Sequence, residues 1–222
     1  GAVVILVGTG NNGGDGYAVA RHLLCCGAVV AVFSVAEPAT LQGEAREKAK
    51  HFLAAGGFVE VLAGNSERFR EACRNARVIV DALFGSGFHG ALPEEIRKFV
   101  EIVNETRSRR ERAQIVAIDI PSGVDATTGA ISDLAINADL TVAIQAAKLG
   151  HLIEPGASAT GRILVVDVGI FSDVPGAVHL TRGPEVSCML SRFHKQKASA
   201  HKGTKGHVLV IGGAAGKSGA AK

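Results

Sequence analysis

An apolar run, Val3-Val4-Ile5-Leu6-Val7, passes straight into Gly8-Thr9-Gly10-Asn11-Asn12-Gly13-Gly14-Asp15-Gly16, and this junction constrains the fold more than any other stretch. Such an unbroken apolar run reads as a strand buried on both faces, the kind found in parallel sheets. Tyr17 to Cys26 reads as the helix that follows. A strand, a glycine-rich turn and a helix make a phosphate cradle: glycines let the backbone approach closely, and a helix N-terminus offers free N–H groups to an anion. Gly8-x-Gly10-x-x-Gly13 satisfies the dinucleotide-binding pattern, which alone is weakly specific. The polar filling is more specific. Asn11, Asn12 and Asp15 bring side-chain oxygens where a plain pyrophosphate turn needs only small residues. An unpaired Asp15 would repel a pyrophosphate, so the turn is expected to have a second task, such as holding a cation or a polar reacting group.

Beyond this junction, apolar runs alternate with helical patterns. Strands are expected at Ala28 to Ser34, Phe58 to Leu62, Val78 to Leu83, Gln114 to Ile120, Ala138 to Ile144 and Ile163 to Val168. Helices are expected at Leu41 to Ala55, at Ser66 to Ala76 with Ser66 as cap, and at Pro93 to Thr106 with proline at its start. Alternation of this kind predicts an α/β fold: a Rossmann-like three-layer sandwich with a mainly parallel sheet. Ligands then bind at the carboxyl ends of the strands, near the point where strand order reverses.

The 222 residues, 47% of them hydrophobic and 20% charged, suit one α/β domain and part of another. No apolar run reaches the ~18 residues that span a bilayer, and nothing resembles a signal peptide. The expectation is a cytoplasmic protein without membrane attachment. Because the first strand begins at once behind Gly1, the chain is read as lacking its natural N-terminus. Net charge is +3, unevenly spread: residues 192–222 hold seven Lys/Arg and no acid, against 17 basic and 21 acidic side chains elsewhere. That basic stretch lacks interleaved aromatics apart from Phe193, which argues against nucleic-acid binding. Cys25, Cys26, Cys73 and Cys188 show no C-x-x-C spacing and read as buried free thiols in a reducing compartment.

After polar, basic residues 194–206, His207 to Ile211 again runs apolar into glycines. This is how a new α/β domain begins. Gly212 and Gly216 stand too close for a Walker A loop, so a P-loop is rejected. The domain reading is therefore 1–194, followed by 195–222 as a linker and the truncated start of a second domain.

Three expected strands end in chemically loaded loops: Asn11 to Asp15, Asp81 to Gly90, and Asp119 to Gly129. A parallel sheet puts such loops on one edge, where oxygens from Asn12, Asp81 and Ser122 can meet. One carboxylate, one amide and one hydroxyl form a hard-oxygen set, suited to an alkali or alkaline-earth ion rather than zinc or iron. The single carboxylate favours a monovalent ion. Taken singly, Asp81 reads equally as a turn cap, Ser122 as a turn residue and Asp119 as an acceptor of backbone N–H bonds. Lys148, after the sixth strand, reads as either a residue of the same edge or a solvated lysine.

Val7 to Gly16, Val80-Asp81-Ala82-Leu83-Phe84-Gly85 and Asp119-Ile120-Pro121-Ser122-Gly123-Val124-Asp125 resemble the signature segments of NAD(P)H-hydrate epimerases, over about residues 2–170. His201-Lys202-Gly203 with Gly206 to Gly213 resembles the opening of the ADP- or ATP-dependent NAD(P)H-hydrate dehydratase domain, which follows the epimerase domain in bifunctional enzymes. The resemblance implies K⁺ binding by Asn12, Asp81 and Ser122. It implies substrate binding by Asn11, Asn12, Gly13, Gly14 and Asp15, by Gly85, Ser86, Gly87, Phe88, His89, Gly90 and Ala91, and by Asp119. Two departures stand out: the family's leading helical segment is absent, and Lys217 stands where the dehydratase pattern more often has Met. Dehydratase activity is not expected from residues 195–222.

The expected activity is interconversion of the R and S forms of hydrated NADH and NADPH (NADHX and NADPHX) at nicotinamide C6, with K⁺ as cofactor, a small dinucleotide as partner, and homo-oligomerisation left open. Epimerisation at a hydroxyl-bearing carbon next to nitrogen needs proton transfer, as the hydroxyl leaves and returns or as the ring opens. Asp119 is the candidate general acid/base, the alternative being that it only anchors the ligand. One rival reading is an NAD(P)-dependent dehydrogenase, which wants an acid closing the second strand. Ser34 closes it here, and Glu37 lies beyond. The other rival is a non-catalytic dinucleotide-binding module.

Overall fold

The computed structural model describes residues 2–108 and 113–170. They fall in one compact unit, Gly1–Phe171. The expected boundary near residue 194, the basic stretch and the strand at His207 to Ile211 all lie outside the described residues.

Seven strands form one sheet: β1 (Ala2–Val7), β2 (Val30–Ser34), β3 (Val59–Val61), β4 (Ala76–Ala82), β5 (Gln114–Ile118), β6 (Leu140–Ile144) and β7 (Arg162–Val166). Their order is β3-β2-β1-β4-β5-β6-β7, and every pairing is parallel. The α-helices of the described residues are α1 (Asn11–Cys25), α2 (Gly43–Ala54), α3 (Ser66–Asn75), α4 (Glu94–Glu105) and α5 (Gly156–Thr160).

Alternation along β1 shows how the layers arise. Val4 and Leu6 pack with Phe69 of α3 and with Phe99 and Val103 of α4. Ile5 and Val7 point the other way, onto Tyr17 and Ala20 of α1 and Ala49 and Phe52 of α2. Both faces of the sheet are thus covered, which is why its central strands read as continuous apolar runs. On the α3/α4 side, Phe33, Phe69 and Phe99 meet edge to face at centroid distances of 5.1 and 5.5 Å, each pair adding about 1 kcal/mol beyond its buried area.

The first helix corrects the sequence reading. It begins at Asn11, not Tyr17, so Asn11 to Gly16 form its opening turns rather than part of a loop, and only Gly8 to Gly10 precede it. The glycines serve close packing. A Cβ on Gly13 would lie 2.0 Å from the Gly8 carbonyl oxygen, and one on Gly16 would lie 2.6 Å from the Ala82 side chain. Gly13→Ala is therefore expected to destabilise the domain by about 3 kcal/mol, a steric overlap that backbone cannot relieve. Gly10→Ala, whose Cβ would meet nothing within 4 Å, should cost about 0.5 kcal/mol. Denaturant melts of the two variants check the contrast.

Two smaller expectations also change. Asn65, not Ser66, precedes α3, and its amide donates to the Val61 carbonyl instead of capping the helix. Among the described residues, Cys25 and Cys26 are exposed and Cys73 is buried, its thiol pushed up to about 12 by desolvation; Cys188 lies outside the described residues.

Candidate active site

Strand order reverses between β1 and β4, so the chain leaves their carboxyl ends in opposite directions and opens a cleft. The cleft measures about 690 Å³ and is walled by residues that follow β1, β4, β5 and β6. The end of β2 takes no part. Ser34 is fully buried there, its hydroxyl donating to the Ala36 carbonyl at 2.7 Å.

The β1 wall is the start of α1. Its first N–H groups have no partners within the helix, and no acidic side chain stands in its first turn. Asn11, Asn12 and Asp15 line the cleft, while Gly13 and Gly14 lie on the packed side of the helix. Asp15 is not unpaired: Lys48 reaches it from α2 at 2.7 Å. The repulsion expected between this carboxylate and a bound phosphate is offset by that ammonium, so Asp15 alone calls for no second cation.

Beneath the cleft floor, the three strand ends are laced together. Asp81 is fully buried. One of its oxygens accepts the Ser122 hydroxyl at 2.6 Å and the Leu83 N–H at 3.2 Å, and the other accepts the Ser122 N–H at 2.8 Å. The Phe84 N–H donates to Ser122 Oγ at 3.0 Å, and Asn12 Nδ2 donates to the Phe84 carbonyl at 2.8 Å. Asn12, Asp81 and Ser122 are thereby brought together. Among the described residues no cationic side chain pairs with Asp81, and burial pushes its carboxyl up to about 6 against the pull of its hydrogen bonds. No grouping of three or more His, Cys, Asp or Glu side chains that could hold a metal ion occurs among the described residues.

Asp119 directly follows β5 with a φ of 67°, and Gln145 directly follows β6 with a φ of 63°. Left-handed backbone costs about 1 kcal/mol or more in residues other than glycine and gathers at functional sites. Both residues line the cleft. One oxygen of Asp119 accepts the Lys148 ammonium and the Ile144 N–H, and the other accepts the Ser86 N–H. Lys148 thus belongs to the site and is not a solvated lysine. Behind the pair, His151 donates from Nε2 to the Asp119 carbonyl at 2.9 Å and accepts the Lys148 N–H at Nδ1, 3.0 Å away.

From the loop after β4, Gly85, Ser86, Gly87, Phe88 and His89 line the cleft, whereas Gly90 and Ala91 do not. Phe84 and Phe88 stack at 4.8 Å as an apolar wall. His89 Nδ1 pairs with Asp125 at 2.7 Å. That bond and those from Thr128 and Thr127 hold the Asp125 carboxyl well below the usual carboxylate range.

The burial of His151 lowers its pKa. A histidine with a depressed folded pKa contributes stability that is present above its unfolded value of about 6.5 and is lost as pH falls below it. The His151 contribution to stability should therefore be lost as pH drops from 7 toward 5, by up to about 1.4 kcal/mol per pH unit, against an opposite contribution from Asp81, whose raised carboxyl adds stability as pH falls through about 6. His151→Gln, which cannot titrate, should lose less over the same interval. Parallel melts would expose the error if both proteins fell equally.

Residues 1–150 match the family described as YjeF-related protein N-terminus, two thirds of the chain. The chain belongs to this family. Similar relatives carry the name bifunctional NAD(P)H-hydrate repair enzyme Nnr. That of Moorella thermoacetica is 40% identical over 221 residues, which is 98% of this chain and 41% of the relative. That of Methanothermobacter thermautotrophicus is 38% identical over 226 residues, 99% of this chain and 40% of the relative. The chain thus spans about two fifths of the length of these relatives. The crystal structure of yeast ynu0 (YNL200c) matches with a TM-score of 0.61 at 27% identity, over 78% of this chain and 68% of the yeast chain.

Within the family frame, two side chains at the site escape sequence reasoning. Lys48 and His151 arrive from elements distant in sequence, and nothing in their neighbourhoods marks them. Lys148 was legible as a lysine following a strand, but its partner was not.

Proposed function

We propose that this domain interconverts the R and S forms of hydrated NADH and NADPH at nicotinamide C6, as the epimerase part of a metabolite-repair enzyme. The observation that carries the reading is the single cleft at the β1/β4 reversal, where a helix N-terminus fit for phosphate and a charged Asp119–Lys148 pair fit for proton transfer open onto one space. Membership of the YjeF-related family and relatives named as NAD(P)H-hydrate repair enzymes support it. The pyrophosphate lies against Gly10 to Asn12, and the hydrated ring reaches Asp119. Asp119 is the base toward the substrate hydroxyl, because its carboxylate opens onto the cleft beside the Lys148 ammonium. No helix among the described residues is long and apolar enough to cross a membrane. The dehydrogenase alternative is disfavoured by the buried Ser34 at the end of β2, where that fold presents an acid to the ribose hydroxyls.

K⁺ fits the residues beneath the floor. The donors are all oxygen, and the buried Asp81 carboxylate has no counter-charge among the described side chains. Asn12, Asp81 and Ser122 would hold the ion, whose charge would keep Asp81 ionised and tie the three loops into one rigid floor.

Ligand-dependent melting tests the reading. Hydrated NADH at a hundredfold its Kd should stabilise the domain by about 2.7 kcal/mol. Inorganic pyrophosphate should stabilise it less, since it lacks the ring that reaches Asp119. Equal stabilisation by both would reduce the cleft to a phosphate site.

A further inference from the structure

Asp15, His89, Asp119 and Lys148 are the titratable side chains lining the cleft. Asp15 is engaged by Lys48 and His89 by Asp125. Only Asp119 and Lys148 are partnered with each other across the cleft wall. Their side chains are 9% and 20% exposed, dry enough for a strong pair yet open to the cleft. Their placement is over-determined. Lys148 also donates to the Ile144 carbonyl at 2.8 Å, and one imidazole, His151, holds the backbones of both residues.

We propose that Asp119 and Lys148 form one bifunctional proton-transfer pair, Asp119 serving the hydroxyl oxygen on nicotinamide C6 and Lys148 serving the ring nitrogen. This rests on the epimerase reading. The chemistry needs such a pair, because opening the ring moves one proton from oxygen to nitrogen. Asp119 takes the hydroxyl proton, the O–H electron pair becomes the second bond of C6=O, and the C6–N1 bond breaks. The C6–N1 electrons stay on nitrogen, which takes a proton from the Lys148 ammonium. Asp119, now protonated, returns its proton to the Lys148 amine through their hydrogen bond, and the pair is reset. Rotation about the C5–C6 bond presents the other face of the aldehyde, and the same steps in reverse close the ring with C6 inverted. No oxidant, reductant or water is consumed. His151 is a positioning residue in this scheme.

Lys148→Arg and Lys148→Met test the assignment in the full chain, by kcat and KM on a purified single epimer. Arginine keeps the charge and can pair with Asp119, but a guanidinium does not give up its proton. Both variants are expected to lower kcat by ~10²-fold or more, with KM changed less than about threefold and the melting temperature of the arginine variant near wild type. An arginine variant within about fivefold of wild-type kcat would make Lys148 a charge partner only and overturn the proposal. A second measurement uses the wild type alone in ¹⁸O-water. Ring opening retains the original C6 oxygen at early conversion, and one ¹⁸O taken up per inversion would mean that the hydroxyl leaves as water, which contradicts the pair's role. A wild-type protein that inverts neither epimer overturns the functional reading itself, a result distinct from either of these.

Discussion

Asp119→Asn is expected to slow epimerisation by ~10²-fold or more, the usual loss for a positioned acid or base, while dinucleotide binding remains detectable. The substitution isolates charge from shape. Asparagine adopts left-handed backbone about as readily as aspartate, so the φ of 67° at this position survives. The amide oxygen still accepts one of the bonds from Ser86 or Ile144. What disappears is the negative charge facing Lys148 and the lone pair that takes a proton. Steady-state kinetics on a single epimer give the answer. Turnover near wild type would reduce Asp119 to an anchoring residue.

Asp81→Asn is expected to erase the K⁺ response and most of the activity. In the native protein, K⁺ at a hundredfold its Kd should contribute about 2.7 kcal/mol, a rise of roughly 5 to 10 °C for a domain of this size. The variant keeps a polar group of the same shape against Ser122 and Leu83, yet loses the only charged ligand of the proposed ion. Asp81→Ala should fare worse, because it also leaves the Ser122 and Leu83 donors unpaired in a dry site, at about 1–3 kcal/mol each. Melts in KCl and in choline chloride distinguish the cases. An Asp81→Asn protein with an undiminished K⁺ response would place the ion elsewhere.

The sheet was legible in the sequence because a strand buried on both faces needs no pattern finer than continuous apolarity, which β1 has throughout and β4 has over Val78 to Val80. The helix start was not. Asn-Asn-Gly-Gly-Asp-Gly has poor helix propensity, and only packing explains its helicity: Gly13 against Gly8 and Gly16 against Ala82 let α1 press onto the strand ends. Tertiary contact overrides propensity there. The oxygen set of Asn12, Asp81 and Ser122 was readable because each residue closes or follows its own strand, so sheet topology alone brings the three together. The ionic wiring was not readable. Lys48 reaches Asp15 across 33 positions and Lys148 reaches Asp119 across 29, and no local spacing encodes such pairings.

The central claim is most directly tested by stereochemistry. Purified chain is added to a single C6 epimer of hydrated NADH, and the opposite epimer is followed by chromatography in KCl and in choline chloride. Inversion well above the buffer rate is expected, faster in K⁺ and slowed by Asp119→Asn. Equilibration at the buffer rate in both salts, by protein that is folded and binds the dinucleotide, would contradict it.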